Sequence, residues 1–485
     1  MALSAMEPGM EDSRDYVDTD ELRTTFAVAM SAMYRKEVPL YETLIDIVQK
    51  VNNETLVNSN DPKVTALRTG SVTSERLDLE RHGAIRLGTP YELQMVRRIF
   101  AIIGLYPVGY YDLSPAGLPM HATCFRPTTD EALKRNPFRV FTTLLRPDLL
   151  KDPGPRDVAL ALLQRRNIFS PELLELLDVA EDQGLRLMPN QAPLFVSEAM
   201  KTFGWRPVAA ASKQVYEELK EVHPILADIA CFQSAHINHL TPRTLDIEAS
   251  QERMKANGLA VKERVEGPPL RNCPILLRQT SFLALEEPIR FPECGGVLAE
   301  GSHKARFGEI EERGAAVTSK GRKLYDRLMA EAMEKISHVR CTLEASEQDR
   351  VLSEVFAQYP DTWDALRKEQ LVYFTYRCGE GGKAQKVSPG LSREDLLARG
   401  ILEAVPITYE DFLPLSAAGI FQSNLGKRRD SSMDVRVAFS NKSGLEKALG
   451  CAVKDSDEAY AEAQEASLRS CSRSLGIDEA HLLSS

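Results

Sequence analysis

A chain of 485 residues with 43% hydrophobic and 27% charged content has material for two or three average domains, or for one large core with insertions, and reads as globular. Its formal net charge of −10 repels polyanions, and no local basic patch offsets it, so nucleic acid is not an expected partner. The longest apolar run, IFAIIGLYPVG at 99–109, is broken by glycine and proline and is far shorter than the roughly 20 residues of a spanning helix, so no membrane partner is expected.

The first 17 residues form an acidic tail without the basic or arginine-rich pattern of a targeting segment, which points to the cytoplasm. Asp18 with Glu21 resembles a capping box, and Leu22, Phe26, Met30 and Met33 then recur at helical spacing. PLYETLIDIVQKVNNE continues the pattern, and 155–187 and 212–228 also read as amphipathic helices. Between them lie short stretches bounded by Gly and Pro and rich in β-branched and aromatic residues: ERHGAIRLGTP, YPVGYYDLS, FRVFTTLLRP, HINHLTPRTLDI, PILLRQTSFLALEEPIRF and KARFGEIEERGAAVT. These predict strands, and the mixture predicts an α+β protein with a central antiparallel sheet surrounded by helices. A helical stretch over 320–370, a Gly-rich loop at 378–390, the motif YEDFLPLSAAGIFQSNLG and a helical tail after 440 complete the chain. GKRRDSS at 426–432 reads as a solvated loop. The eight cysteines (Cys124, Cys231, Cys273, Cys294, Cys341, Cys378, Cys451 and Cys471) are scattered without a CxxC pair, so reduced thiols are expected rather than a disulfide framework or zinc knuckle.

Three stretches carry chemistry. In RHGAIRLG, His82 and Arg86 are four apart and share one face of a strand or of a helix. An imidazole can ligate a metal and a guanidinium fork suits a carboxylate, so the pair can serve a metal and an acidic substrate beside it; the bland alternative is a structural arginine and a satisfied histidine. In HINHLTPRTLDI, an extended backbone sends His236 and His239 to opposite faces, and Pro242 with Ile237 and Thr241 disfavours a helix, so one ligand is expected here. In RFGEIEERG, Glu309 and Glu311 share a strand face, Glu312 points away, and Gly308 leaves room for close approach. A buried glutamate needs a metal or cation, whereas an edge strand would simply solvate these acids. Two histidines and one carboxylate from distant strands fit a non-haem Fe(II) oxygenase, and equally a zinc hydrolase with a His₂Glu set and Glu311 as general base. There is no GxGxxG after a strand and no P-loop, so no nucleotide cofactor is expected.

Taken together, ERHGAIR, PVGYYDLS, FRVFTTLLR, HINHLTPRTLDI, VEGPP, PILLRQTSF, ARFGEIEERGAA and YEDFLPLSAAGIFQSNLG resemble, in order from about residue 20 to 470, the 2-oxoadipate dioxygenase/decarboxylase family, also called 2-hydroxyglutarate synthase. The resemblance implies a partial barrel of vicinal-oxygen-chelate type, with 18–440 a single large catalytic domain and 441–485 a helical segment packed on it. It implies Fe(II) held by His82, His239 and Glu309, with His82, Arg86 and Leu415 contacting substrate and Arg86 serving catalysis. The family has valine where this chain has Leu415. An added methylene in an apolar wall shifts discrimination by about 1–3 kcal/mol, which bears on substrate chain length but not on reaction type. The implied partners are a small 2-oxo dicarboxylate, 2-oxoadipate, and O₂, with 2-hydroxyglutarate and CO₂ as products in lysine breakdown. A binding protein of the same fold without catalysis is the remaining alternative.

Overall fold

The computed structural model describes residues 15–58, 74–338, 344–379, 391–413 and 440–483. Asp18 caps the first helix, Thr19–Glu37, by accepting from the Asp20 and Glu21 amides, and Leu22, Phe26 and Met30 turn inward as their spacing requires. The next helix, Pro39–Asn58, sets Tyr41 edge-on against Tyr34. The predicted helical stretches over 155–187 and 212–228 each divide in two, into Pro153–Arg165 and Pro171–Asp182, then Lys213–Val222 and Pro224–Ala230. Pro171 and Pro224 mark the breaks, because proline lacks the amide donor and pushes the preceding residue out of the helical region. The 320–370 pattern likewise contains Ser319–Ser337, Ala345–Phe356 and Trp363–Lys368.

Five strands, β1 (Arg81–Leu87), β2 (Tyr106–Asp112), β3 (Met120–Arg126), β4 (Arg139–Leu145) and β5 (His239–Pro242), build the central sheet in the order β2-β3-β4-β1-β5. The expectation of an antiparallel sheet is corrected here: β1 runs parallel to β4, while the β2–β3, β3–β4 and β1–β5 pairs are antiparallel. After β1 the chain crosses over through the helix Pro90–Ile102, started by a Thr89–Glu92 capping box, before the β2–β3–β4 meander returns to β1. A crossover of that kind is what a parallel pairing needs.

Further along, β6 (Leu277–Ser281), β7 (Glu287–Pro292), β8 (Leu298–His303) and β9 (Glu309–Arg313) form two antiparallel pairs, β6 with β9 and β7 with β8. A last pair joins β10 (Phe374–Cys378) to β11 (Leu402–Pro406). Strand β9 docks beside β5: Thr244 N donates to Glu311 O at 2.8 Å and Phe307 N to Asn238 O at 3.2 Å. Strands β3, β8, β10 and β11 are absent from the sequence reading. β3 is buried along its whole length while carrying His121, Thr123 and Arg126, so both of its faces lie inside the protein and no solvent-facing polar side marks it.

The alternation of β1 positions the site. Ile85 and Leu87 join the largest core with Phe26, Phe100 and Phe125, whereas Ala84 belongs to the opposite side with Phe141, Leu226 and Phe412. His82 and Arg86 therefore share the Ala84 face. At the other end, Leu445, Leu449 and Val453 enter the largest core, and the helix Ser456–Leu475 buries Tyr460, Leu468 and Cys471 in a third cluster with Tyr325 and Phe356. No helix among the described residues is long and apolar enough to cross a membrane.

Candidate metal centre and substrate site

Three adjacent strands bring His82, His239 and Glu309 together. β1 and β5 pair with Ala84 opposite His239 and His82 opposite Thr241, and β9 follows β5. The Tyr34 hydroxyl, from the first helix, reaches the carbonyls of Asn238 at 3.1 Å and Phe307 at 2.9 Å, and so pins the segments just before His239 and Glu309. Ligand atoms of the three side chains all lie within 4.8 Å of one another, and all three residues are buried. His82 Nε2 stands 3.2 Å from Glu309 Oε1, and the two imidazole rings are nearly perpendicular with centroids 5.3 Å apart.

Each of the three is oriented by a further partner. His82 Nδ1 faces Glu311 Oε1 at 3.1 Å, with Nε2 of the same ring toward Glu309, and His239 Nδ1 meets Thr241 Oγ1 at 2.9 Å and stands 4.0 Å from Glu309 Oε1. Gln279 donates to Glu309 Oε1 at 2.7 Å, and the Thr241 hydroxyl lies 3.2 Å from the same oxygen. Glu309 Oε2 is buried and has no hydrogen-bond partner among the described residues. An orphaned carboxylate oxygen inside a protein is costly, and a divalent cation at this point would supply its missing partner. Burial pushes the Glu309 carboxyl above its ordinary range and the His82 imidazole down to about 4, which keeps His82 neutral and able to ligate. The donor set fits a metal.

Behind His82 lies a buried ionic network. Glu311, pushed up to about 7 by burial, accepts from Arg139 Nη2 at 2.8 and 3.0 Å and from Arg313 Nε at 2.9 Å. Arg313 also pairs with Glu410 and, at 2.9 Å, with Glu80. Glu312 points away from this group and pairs with Arg278 at 3.1 Å, as strand parity predicts. Phe412 and His82 meet in a T-shaped contact at 4.9 Å, Arg139 lies over the Phe412 ring at 4.7 Å, and Phe307 stacks on His239 at 4.9 Å. These apolar covers limit water access to the ligands. Gly308 has no room for a side chain: a Cβ there would lie 2.0 Å from the Phe282 ring.

Arg86 Nη1 pairs with Asp228 Oδ2 at 2.6 Å. His236 is not the opposite-face residue of a strand, because β5 begins only at His239 and His236 lies in the irregular segment before it. There its Nε2 stands 3.2 Å from Asp228 Oδ1, in a second buried group with His303. The structure thus leaves one HINH histidine at the His82 and Glu309 group, although not for the reason of strand parity. Leu415 lies outside the described residues; Phe412, just before it in sequence, contacts His82. The sequence reading missed Thr241, Gln279, Arg139 and Asp228. Thr241 alone carried a signal, its even spacing from His239; the others come from remote segments that only the fold unites.

The sheet, the crossover and the buried two-histidine, one-glutamate group describe an enzyme scaffold of mixed α+β class with a donor set that fits a metal. The family profile described as 2-oxoadipate dioxygenase/decarboxylase matches residues 26–424. Relatives named 2-oxoadipate dioxygenase/decarboxylase are 46% identical over 460 residues in Escherichia coli K12, covering 94% of this chain and 98% of the relative, and 45% identical over 469 residues in Pseudomonas putida, covering 96% and 99%. The crystal structure of the hydroxyglutarate synthase from Pseudomonas putida in complex with 2-oxoadipate superimposes with a TM-score of 0.86 at 42% identity, covering 96% of this chain and all of that one. The chain belongs to the 2-oxoadipate dioxygenase/decarboxylase family.

Proposed function

We propose that this chain converts 2-oxoadipate and O₂ to 2-hydroxyglutarate and CO₂ in an Fe(II)-dependent reaction. The observation that carries the iron reading is the buried His82, His239 and Glu309 group, a two-histidine, one-carboxylate donor set that would hold the ion. When bound there, Fe(II) supplies a chelation seat for a 2-oxo acid and the redox chemistry needed to use O₂. The protein's part is to hold, orient and exclude. Glu311 beside His82 Nδ1 would orient that ring for ligation through Nε2, and Thr241, bonded to His239 Nδ1, would do the same for His239. Arg86, on the same face of β1 as His82, binds and orients a substrate carboxylate. That local cation matters in a chain of net charge −10, whose overall field opposes a dianion. Phe412 and Phe307 shield the imidazoles from bulk water.

The zinc hydrolase reading requires Glu311 as a general base, yet its carboxylate is already occupied by Arg139, Arg313 and His82. The neighbourhood favours an orienting role instead. The β6–β9 pair, docked at the β5 edge of the central sheet through the Arg243–Glu311 β-bridge, supports the vicinal-oxygen-chelate type of partial barrel. A single catalytic domain over 18–440 with the 441–485 segment packed on it, a cytoplasmic location and a place in lysine breakdown complete the reading. The test is turnover of 2-oxoadipate by metal-stripped protein given Fe(II) or Zn(II), with and without O₂. The reading expects 2-hydroxyglutarate only with Fe(II) and O₂ together; turnover with zinc, or without oxygen, would overturn it.

A further inference from the structure

Arg86 is held by more than its own strand. Its Nη1 pairs at 2.6 Å with Asp228 Oδ2, from the Pro224–Ala230 helix, and Asp228 is itself fixed from the other side. Asp228 Oδ1 lies 2.8 Å from His303 Nε2 and 3.2 Å from His236 Nε2. His303 Nδ1 in turn meets the Tyr216 hydroxyl at 2.8 Å, and Trp205 stacks on His303 while standing edge-on to His236 at 4.7 Å. Asp228, His236 and His303 are all buried, and the Arg86 side chain is only 13% exposed.

The ligand atoms of Asp228, His236 and His303 lie within 4.8 Å of one another, a grouping that a metal could also use. Two features favour the arginine as the cation this cluster serves. Asp228 already carries a guanidinium at hydrogen-bond distance, and His303 has both ring nitrogens engaged. A divalent ion would have to sit against Arg86. Burial opposes the charge on Asp228, but His236, Arg86 and the His303 hydrogen bond outweigh it and hold the carboxyl well below its usual range.

We propose that Asp228, braced by His236, His303 and Tyr216, is the positioning residue for Arg86, fixing the guanidinium so that its remaining edge meets one substrate carboxylate. The inference rests on the assignment of Arg86 to substrate binding. An arginine offers five N–H donors in a rigid fork, so anchoring one edge on a fixed carboxylate settles the direction of the other. The bracing also gives His236 a role that strand position alone does not.

Charge and position make opposite claims for Asp228→Asn. If Asp228 acted only as a negative charge near the seat of a dianion, its neutralisation would tighten substrate binding. As a positioning residue, its loss lets the guanidinium wander, and KM for 2-oxoadipate should rise roughly tenfold or more, given how steeply misplacement costs rate and binding. kcat at saturation should change far less, and iron content should remain at one equivalent. In an Arg86→Ala background, Asp228→Asn should change KM by less than about twofold, because coupling requires both partners. Tyr216→Phe removes only the Tyr216–His303 hydrogen bond and should raise KM in the same direction, which keeps the test decisive if Asp228→Asn does not fold. A lowered or unchanged KM in Asp228→Asn, an unchanged KM in Tyr216→Phe, or an equal effect with and without Arg86 would overturn the proposal. So would a second equivalent of iron in the wild-type protein. An unchanged KM in Arg86→Ala would instead remove the premise, and is told apart by that variant alone.

Discussion

His236 and His239 belong to the same HINH motif and serve different neighbourhoods, because the irregular backbone before β5 turns one imidazole to Asp228 and the strand turns the other to Glu309. Removing His239 should therefore abolish iron binding, whereas His236→Ala should leave the metal in place; metal analysis of the purified variants checks both, and loss of iron in His236→Ala would contradict the assignment. Glu311 lies outside the three-residue group and would act on it through His82. Partners of this kind typically govern about 10–100-fold in metal affinity. Glu311→Gln should accordingly weaken iron binding by that order in a competitive chelator titration while leaving the secondary structure intact. The convergence of His82, His239 and Glu309, and the shared strand face of His82 and Arg86, were legible in the sequence from residue type, spacing and family resemblance. Asp228 was not: it sits in an apolar helical stretch, PILADIA, that reads as scaffold, and nothing local marks it as the partner of Arg86.

At the level of elements, the strands nearest the site were the readable ones, because β1, β5, β6 and β9 are flanked by glycine and proline and carry β-branched residues. The parallel β1–β4 pairing was not readable, since nothing in either strand records which neighbour it will take once a crossover helix intervenes. The β6–β9 pair depends on Gly308, where the Phe282 ring fills the place of a side chain. Gly308→Ala should cost about 1–3 kcal/mol by overpacking, read in urea unfolding, and should disturb Glu309 next to it. β3 carries a different liability. His121 is buried, its Nδ1 has no hydrogen-bond partner among the described residues, and burial and Arg146 push its imidazole down to about 4. In the unfolded chain it takes a proton below about pH 6.5, so the unfolded state binds more protons between about 6.5 and 4. Its stabilising contribution is present above pH 6.5 and falls progressively toward pH 4. His121→Asn should flatten that part of the pH–stability profile in urea unfolding at pH 7, 5.5 and 4.5; identical slopes for the two proteins would contradict it.

For the molecule as a whole, a chain of net charge −10 encloses a site in which buried carboxylates are paired with arginines and histidines. The net charge of −10 sets the long-range field, while Arg86, Arg139 and Arg313 line the face on which His82 lies or the network behind it. Global composition argues against polyanions through the long-range field, but carries no information on the local seat proposed for a small dianion. The class of fold was visible in the alternation of helical and strand texture; the layering was not, because β9 reaches β5 only through long-range bonds such as Thr244 N to Glu311 O. The central claim, that iron held by His82, His239 and Glu309 turns 2-oxoadipate and O₂ into 2-hydroxyglutarate, is tested most directly by turnover under ¹⁸O₂ with mass analysis of the product. Both atoms of the labelled oxygen should appear in 2-hydroxyglutarate, whereas an unlabelled product, with its new oxygen drawn from water, would contradict the account.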